Sequence, residues 1–297
     1  MAAITGVRPP ASTEPAPKRR RIVARPGTWI VWAIVAFFFI NLLGVILSVV
    51  FDSFGTSWFG GWVPNGFTTR WYGTAWDDFA LKQVLKVTAE VAIAVVVLSM
   101  AIGGPAAYVL ARRDFPFKKL VMVLFLLPIL VPPITYGIPL AIVLNKWHLG
   151  GHLEGVILAN LVPSVPFVVL TMTPFIEQID PKIEAAARMC GAKTGSIMLR
   201  ILSPLVLPGL LAAGILVLIR TVGMFELSFL TAGPSSQTLV VSLYAAVFGA
   251  GIRAQQEIDA MAVIYTASMM VLLLIALRFV NPTQLVTRVR EEAAAEL

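Results

Sequence analysis

The chain has 297 residues, of which 58% are hydrophobic and 13% are charged, and its mean hydropathy is +0.85. Soluble domains carry about 25% charged residues, so this composition excludes an ordinary soluble domain and predicts an all-α integral membrane protein with about six helical spans. The formal net charge of +7 is attributed to membrane topology rather than to nucleic-acid binding, and the single cysteine, Cys190, excludes an internal disulfide.

The N-terminal part of the chain predicts a tail, a first span and an outer connection. Residues 1–28 are polar and rich in proline, carry a basic cluster at 18–21, and predict a disordered cytoplasmic tail. Residues 29–51 predict the first transmembrane helix, which we expect to be retained because it lacks a small-residue cleavage signature. Residues 52–83 are rich in tryptophan, which prefers the headgroup region, and predict an outer connection that lies on the membrane.

Residues 84–280 predict a core of five further helices, followed by a second cytoplasmic tail at 281–297. Four prolines in the third span are expected to kink or break it. Most of the 23 lysines and arginines fall on one side of the membrane if both termini are cytoplasmic, and this bias predicts that orientation. The five spans are expected at about 84–110, 120–144, 155–176, 205–230 and 260–279.

The connection at 178–204 is an amphipathic, charge-bearing interruption between apolar spans. Asp180 and Pro181 predict the N-cap and the first position of a short helix, and the alanines at 185–187 extend it at little cost in side-chain entropy. Gly191 permits a sharp change of direction before a second helical turn. The pattern predicts a helix that lies across the inner membrane face and presents small residues to a partner. The alternative is an ordinary interfacial helix.

This stretch resembles the EAA loop of the membrane permease subunits of bacterial ATP-binding-cassette importers, whose pattern is E-A-A, three residues, G, nine residues, then I-x-L-P. Gly191, Ile201 and Pro204 match that spacing, whereas Ala185 stands at the glutamate position and Glu184 lies one residue earlier. In the family the glutamate contributes to the contact with the ATPase, and whether Glu184 replaces it is left open. The resemblance implies these ATPase-coupling residues: Glu184, Ala185, Ala186, Ala187, Gly191, Ala192, Ile201 and Pro204.

Other segments resemble the spermidine/putrescine-type permeases of the same family. Sugar permeases share many of these features, including the Thr-x-Gly-Pro segment at 231–234. The resemblance therefore implies a polyamine-type solute, with a sugar or polyol as the alternative. The segments lie at 66–72, 106–112, 127–128, 131–133, 233–234 and 237–239.

The resemblance also implies a type I importer permease fold in the bacterial inner membrane and a set of partners. A separate ATPase, expected in two copies, would hold ATP and magnesium. A second, different permease subunit would complete the path, and an extracytoplasmic binding protein would deliver the solute. No cofactor is expected on this chain, which is not expected to be an enzyme. Its segment 191–194 has Ala192 where a P-loop needs the glycine before its lysine.

Charged and polar residues within the spans are the candidate lining of a substrate path. An unpaired charge in hydrocarbon costs at least about 2.5 kcal/mol. Arg220 and Glu226 in the predicted fifth span lie about 120° apart around a helix, so we do not expect them to pair directly. Glu226 is expected either to attract a cationic solute or to make a structural contact, with the partner permease or with Arg220 of a second copy. Tyr136, Asn160 and Ser164 are further candidates, each with a bond to a neighbouring helix as the alternative.

Two other classes of membrane protein would need different features. The sequence of an ion-coupled carrier is expected to show internal repeats and several paired intramembrane acids. The sequence of an intramembrane enzyme is expected to show paired acids or a nucleophile with its base. The sequence has neither pattern, so an importer subunit is the leading interpretation.

Overall fold

The structure is a computed structural model that describes residues 26–57, 64–249 and 253–279. The predicted tail at 281–297, most of the tail at 1–28, and Trp58 and Trp62 lie outside the described residues. The described chain is built from helices: α1 (Pro26–Ser53), α2 (Arg70–Asp78), α3 (Leu81–Arg112), α4 (Lys118–Leu130), α5 (Pro133–Lys146), α6 (Leu153–Glu177), α7 (Pro181–Met189), α8 (Thr194–Ile197), a π-helical turn (Met198–Leu202), α9 (Ser203–Val222), α10 (Phe225–Thr231), α11 (Leu239–Phe248) and α12 (Gln255–Phe279).

The long helices account for the predicted spans. Helices α4 and α5 form a pair bent by 95°, which supplies a sixth span if the pair counts as one. The prediction of an all-α membrane protein is therefore confirmed. Five described segments are long and apolar enough to cross a membrane: Trp29–Ser53, Leu81–Arg112, Leu153–Glu177, Gly195–Val222 and Gln255–Ile275.

The third predicted span is broken between α4 and α5, at prolines that the sequence analysis had marked. Pro132 and Pro133 have no amide hydrogen, so the carbonyls four residues earlier receive no helical hydrogen bond from them. The Tyr136 hydroxyl donates instead to the Pro128 carbonyl at 3.3 Å. One of the carbonyls released by the break is thus satisfied by a side chain from the following helix.

The fifth span differs from the prediction of one helix at 205–230. Helix α9 ends at Val222, and Gly223 and Met224 separate it from α10, with Met224 in an extended conformation. At the other end, the helical run begins at Gly195 and continues through the π-helical turn, in which the Ser203 amide bonds to the Met198 carbonyl. Because no proline marks the break at 223–224, residue pattern alone did not reveal it.

The core of residues 48–297 lies where α3, α6 and α9 pack together. Val95, Val168 and Val217, one from each helix, are fully buried in this core. A side chain at Gly103 of α3 would come within 2.8 Å of Val168, and one at Gly209 of α9 within 2.8 Å of Phe175. Small residues at these crossings allow the helix backbones to approach closely, as is common for helices packed in lipid.

The tryptophan-rich connection contains the short helix α2, which the sequence analysis did not predict. Trp71 donates its indole hydrogen to the Gly55 carbonyl at 2.7 Å, and the hydroxyls of Tyr72 and Ser53 lie 2.8 Å apart. Ala75 is fully buried. Part of this connection is therefore folded against the core rather than spread as a simple loop.

The described residues fall into two compact units, which divide between Leu47 and Ser48. In the first unit, all the side chains from Trp29 to Leu47 are exposed. They are almost entirely aliphatic or aromatic, a composition that suits a helix surrounded by lipid.

Candidate functional site

Helix α7 begins and ends where the sequence predicts. The Asp180 carboxylate caps it by accepting a hydrogen bond from the Lys182 amide at 2.9 Å, and Pro181 occupies its first turn. Gly191 follows with φ +83°, in the left-handed region that glycine adopts without strain. The Ala192 amide then bonds back to the Ala187 carbonyl at 3.0 Å, which closes the helix end. A second helical segment, α8, follows as predicted.

The two faces of α7 differ sharply in exposure. Met189 is 89% exposed and Ile183 is 42% exposed, and Ala185 and Ala186 are exposed as well. Glu184, by contrast, is only 4% exposed. An exposed face of small and apolar side chains is typical of a surface that another protein covers, so α7 presents such a surface away from the core.

The buried carboxylate of Glu184 is held by the end of α3. Its Oε1 accepts a hydrogen bond from Arg112 Nε at 2.7 Å, and its Oε2 accepts one from the Tyr108 hydroxyl at 2.8 Å. Arg188 lies farther off, with Nη2 3.6 Å from Oε2. Because a buried charge is tolerated only when it is paired and hydrogen-bonded, this arrangement explains why Glu184 faces inward.

Arg112 also connects α7 to the end of α6. Its Nη2 donates to the carbonyl of Ile179 at 2.7 Å, in the short segment between α6 and α7. The Arg112 side chain is 10% exposed. One guanidinium therefore bridges the last turn of α3, the residue before the Asp180 cap, and the carboxylate of α7.

The remaining predicted coupling residues follow α7 along the chain. Ala187, Ala192 and Ile201 are half-buried, whereas Gly191 and Pro204 are exposed. Pro204 lies inside the helical run from Gly195 to Val222 rather than at a change of direction. Their role in coupling, like that of Glu184, stays a prediction.

Three predicted substrate-path residues belong to different helices: Tyr136 to α5, Arg220 to α9 and Glu226 to α10. Tyr136 packs against a buried cluster that includes Leu227, the residue after Glu226. All three are half-buried, and the Arg220 guanidinium lies 5.8 Å from the ring centroid of Phe167. The break at 223–224 puts Arg220 in the last turn of α9 and Glu226 in the first turn of α10.

The other two predicted path residues both bond to the backbone of α6, their own helix. Asn160 is 1% exposed and donates to the Val156 carbonyl at 2.9 Å and, at 3.4 Å, to the Ser228 hydroxyl of α10. Ser164 is 2% exposed and donates to the Asn160 carbonyl at 2.7 Å. Asn160 thus makes a bond to a neighbouring helix, the alternative role, whereas the bond of Ser164 lies within α6. The place of both side chains in a substrate path stays a prediction.

An aromatic cluster that the sequence pattern did not predict includes Phe225, the residue before Glu226. Phe225 and Phe229 of α10 stack with ring centroids 5.1 Å apart, and Tyr244 of α11 lies 4.8 Å from Phe225 and 4.7 Å from Phe248. Phe229 is 45% exposed and Tyr244 is 38% exposed. The signal was present in the spacing, since each helix supplies two rings four residues apart, but α10 and α11 were not recognised as helices facing each other.

Tyr108 and Arg112 were also missed as site residues. They lie four residues apart and therefore on one face of α3. Both belong to the segment at 106–112, which resembles permeases. Their spacing predicts a shared face, but sequence alone does not identify Glu184 as the group that this face holds.

Comparison with known proteins gives a consistent result. A family model described as "Binding-protein-dependent transport system inner membrane component" matches residues 103–285. The spermidine/putrescine transport system permease protein PotC of Escherichia coli is 26% identical over 244 residues, covering 82% of this chain and 88% of that protein. The trehalose transport system permease protein SugB of Mycobacterium tuberculosis is 34% identical over 123 residues, covering 41% of this chain and 45% of that protein.

A solved structure shares the fold. It is the crystal structure of a bacterial ABC transporter involved in the import of the acidic polysaccharide alginate. One chain of that structure matches this protein with a TM-score of 0.69 and 15% sequence identity. The match covers 84% of this chain and 94% of that chain.

Proposed function

Because the chain belongs to the family of binding-protein-dependent transport system inner membrane components and is a permease subunit of an ATP-binding-cassette importer, we propose that it conducts a polyamine-type organic cation across the membrane. The solute is delivered by an extracytoplasmic binding protein, and the energy comes from a separate ATPase. The observation that carries the coupling part is the outward face of α7, with its exposed Ala185, Ala186 and Met189.

The ATPase docks on that face of α7. Small side chains let a partner surface approach the helix backbone, and Met189 supplies a flexible apolar contact. ATP and magnesium are bound by the ATPase and not by this chain. The connection from 178 to 204 plays the part of the EAA loop, with Glu184 held inward and the alanines facing out.

The full importer contains two copies of the ATPase and a second, different permease subunit. The chain crosses the bacterial inner membrane several times with both termini in the cytoplasm. The distribution of lysine and arginine supports that orientation.

Two observations favour a polyamine as the solute. Glu226 belongs to the same short helix, α10, as Phe225 and Phe229 of the aromatic cluster. A carboxylate together with aromatic rings suits an organic ammonium through charge attraction and cation–π contact. The polyamine relative PotC also matches this chain over 82% of its length. A sugar or polyol is the second candidate, because the trehalose relative SugB reaches 34% identity within a shorter match and aromatic faces also stack on sugar rings.

Uptake of labelled solutes by cells with and without the chain tests the substrate. Loss of spermidine and putrescine uptake alone supports the polyamine, whereas loss of trehalose uptake alone replaces it with the sugar. Retention of both uptakes in deleted cells contradicts both candidates.

Docking of the ATPase is tested with Ala186→Glu, which puts a bulky charge into the proposed contact. We expect the ATPase to be lost from the purified complex while the chain still inserts in the membrane. Lys119→Glu, which adds the same carboxylate at an exposed position outside α7, is the matched control. An ATPase that stays bound to the Ala186→Glu variant as it does to the control contradicts the docking surface.

A further inference from the structure

We infer that Glu184, Arg112 and Tyr108 form the mechanical link through which movement of α7 reaches α3 and α6. The inference rests on the proposed docking of an ATPase on α7. It makes Glu184 a positioning residue that transmits motion inside this chain, rather than a residue that touches the ATPase.

The first support is that Glu184 uses both carboxylate oxygens on α3. Arg112 Nε lies 2.7 Å from Oε1 and the Tyr108 hydroxyl 2.8 Å from Oε2. A single hydrogen bond would let α7 turn about its own axis, whereas two bonds to groups one helical turn apart fix that rotation. Rotation or displacement of α7 must therefore move the end of α3.

The second support is the other branch of the same guanidinium. Arg112 Nη2 donates to the Ile179 carbonyl at 2.7 Å, directly before the cap of α7. The ends of α3, α6 and α7 are thus joined through one side chain. Since α3 and α6 pack along the core, where Gly103 lies against Val168, motion imposed at this junction reaches the long helices.

The opposite end of α7 is built differently. Cys190 and Gly191 are exposed, and a side chain at Gly191 would meet no atom within 4 Å. The positive φ at Gly191 gives a turn toward α8 in place of a buried ion pair. Helix α7 is therefore fastened to the core mainly through Glu184, and that end is the one able to transmit force.

Measurement of the coupling ratio, the amount of solute moved per ATP hydrolysed, tests this link. The complete importer is purified with its ATPase and second permease, reconstituted in vesicles, and supplied with its binding protein and labelled spermidine, or labelled trehalose if the uptake experiment selects the sugar. Glu184→Gln and Arg112→Gln are compared with Arg113→Gln, which removes the same charge from the exposed neighbouring residue. Binding of the ATPase is measured in the same samples.

We expect Glu184→Gln and Arg112→Gln each to lower the coupling ratio by about tenfold, because movement of α7 would no longer reach α3. The ATPase should stay bound, and Arg113→Gln should behave as the wild type. Because the two side chains act through each other, the double variant should be no worse than either single one. Tyr108→Phe, which removes a single hydroxyl and keeps the ring, should lower the coupling ratio by less. This variant tests the link if the charge variants do not fold.

Three results would overturn the inference. A normal coupling ratio in Glu184→Gln excludes the link, and loss of bound ATPase in that variant makes Glu184 a docking residue. Multiplied losses in the double variant show that the two residues act independently. A wild-type chain that binds no ATPase instead contradicts the proposed function, so the two failures are told apart by the wild-type sample alone.

Discussion

Two pairs of arginine and glutamate in this chain have opposite surroundings. Arg112 and Glu184 are joined at 2.7 Å, with side chains that are 10% and 5% exposed. Arg220 and Glu226 are half-buried, and within the described part of the chain neither lies within 4.0 Å of an opposite charge. The same two residue types therefore form a closed junction in one region and remain unpaired in the other.

The difference distinguishes a charge that holds the structure together from a charge that can still interact with a solute, a partner or water. A buried ion pair that is held by short hydrogen bonds has little capacity left for a ligand, and breaking it weakens the compensation of a buried charge. An unpaired charge among spanning helices costs energy that is recovered only when a solute, a partner or water meets it. We therefore expect substitutions at the first pair to change stability and coupling, and substitutions at the second pair to change solute handling.

The largest effect on stability is expected for Arg112→Met. Loss of the guanidinium leaves the buried Glu184 carboxylate with the more exposed Arg188, at 3.6 Å, as its remaining cation. Removing one partner of a buried pair typically costs about 3 to 5 kcal/mol. The midpoint of thermal unfolding in detergent should fall strongly, and the double variant Arg112→Met with Glu184→Gln should recover part of the loss. Arg113→Met is the control and should change the free energy of unfolding by about 0.5 kcal/mol or less. Equal losses in Arg112→Met and Arg113→Met would show that the ion pair has no special role.

The second pair is tested through Glu226→Gln. We expect uptake of labelled spermidine to fall about tenfold, the equivalent of about 1.4 kcal/mol, with little change in the unfolding midpoint because the carboxylate has no close cation to lose. Glu90→Gln is the matched control, since Glu90 is a half-exposed carboxylate of α3 paired with Lys86 at 3.6 Å. A large loss of stability in Glu226→Gln would show that Glu226 has a structural role like that of Glu184.

Tyr136, another predicted path residue, offers a smaller effect. Tyr136→Phe removes the hydrogen bond to the Pro128 carbonyl at 3.3 Å, and a lost hydrogen bond of this kind costs about 0.5 to 1.5 kcal/mol. The thermal midpoint should fall slightly, by more than it does in Tyr244→Phe, which keeps its ring in the aromatic cluster. An unchanged midpoint would show that water serves the Pro128 carbonyl equally well.

The smallest effect is expected at the exposed pair of Lys86 and Glu90. Their side chains are 67% and 44% exposed, and ion pairs of this kind contribute about 0 to 1 kcal/mol. Lys86→Met should therefore leave the unfolding midpoint nearly unchanged. A shift of the midpoint as large as that of Arg112→Met would contradict the idea that burial decides how much an ion pair contributes.

The sequence predicted the features that depend on near neighbours. The cap at Asp180 and Pro181 is set by residues adjacent in the chain, and the break between α4 and α5 follows from the missing amide hydrogens of two prolines. Both were found where the pattern indicated. The break at 223–224 has no proline to mark it, and it moved Glu226 out of the helix that carries Arg220.

The partners of Glu184 could not be predicted, because Arg112 and Tyr108 lie 72 and 76 residues away in the chain. The sequence did show that Glu184 stands one residue before the position that the importer pattern gives to glutamate. One residue corresponds to a rotation of about 100° around an α-helix. The displacement thus accounts for a carboxylate that points into the core while the alanines point out, but only the structure identifies what the carboxylate meets.

The π-helical turn at Met198–Leu202 sets the angular position of α8 relative to α9. A π turn holds one residue more than the α-helical turn it replaces, so it offsets α8 around the helix axis relative to α9. Deleting one residue from the π-helical turn would rotate α8 by about 100° relative to α9. Helix α7 is held separately, by Glu184 on Arg112 and Tyr108, so the turn that contains Gly191 would have to take up that rotation. We therefore expect the length of this interval, and not only its side chains, to matter for the placement of α7.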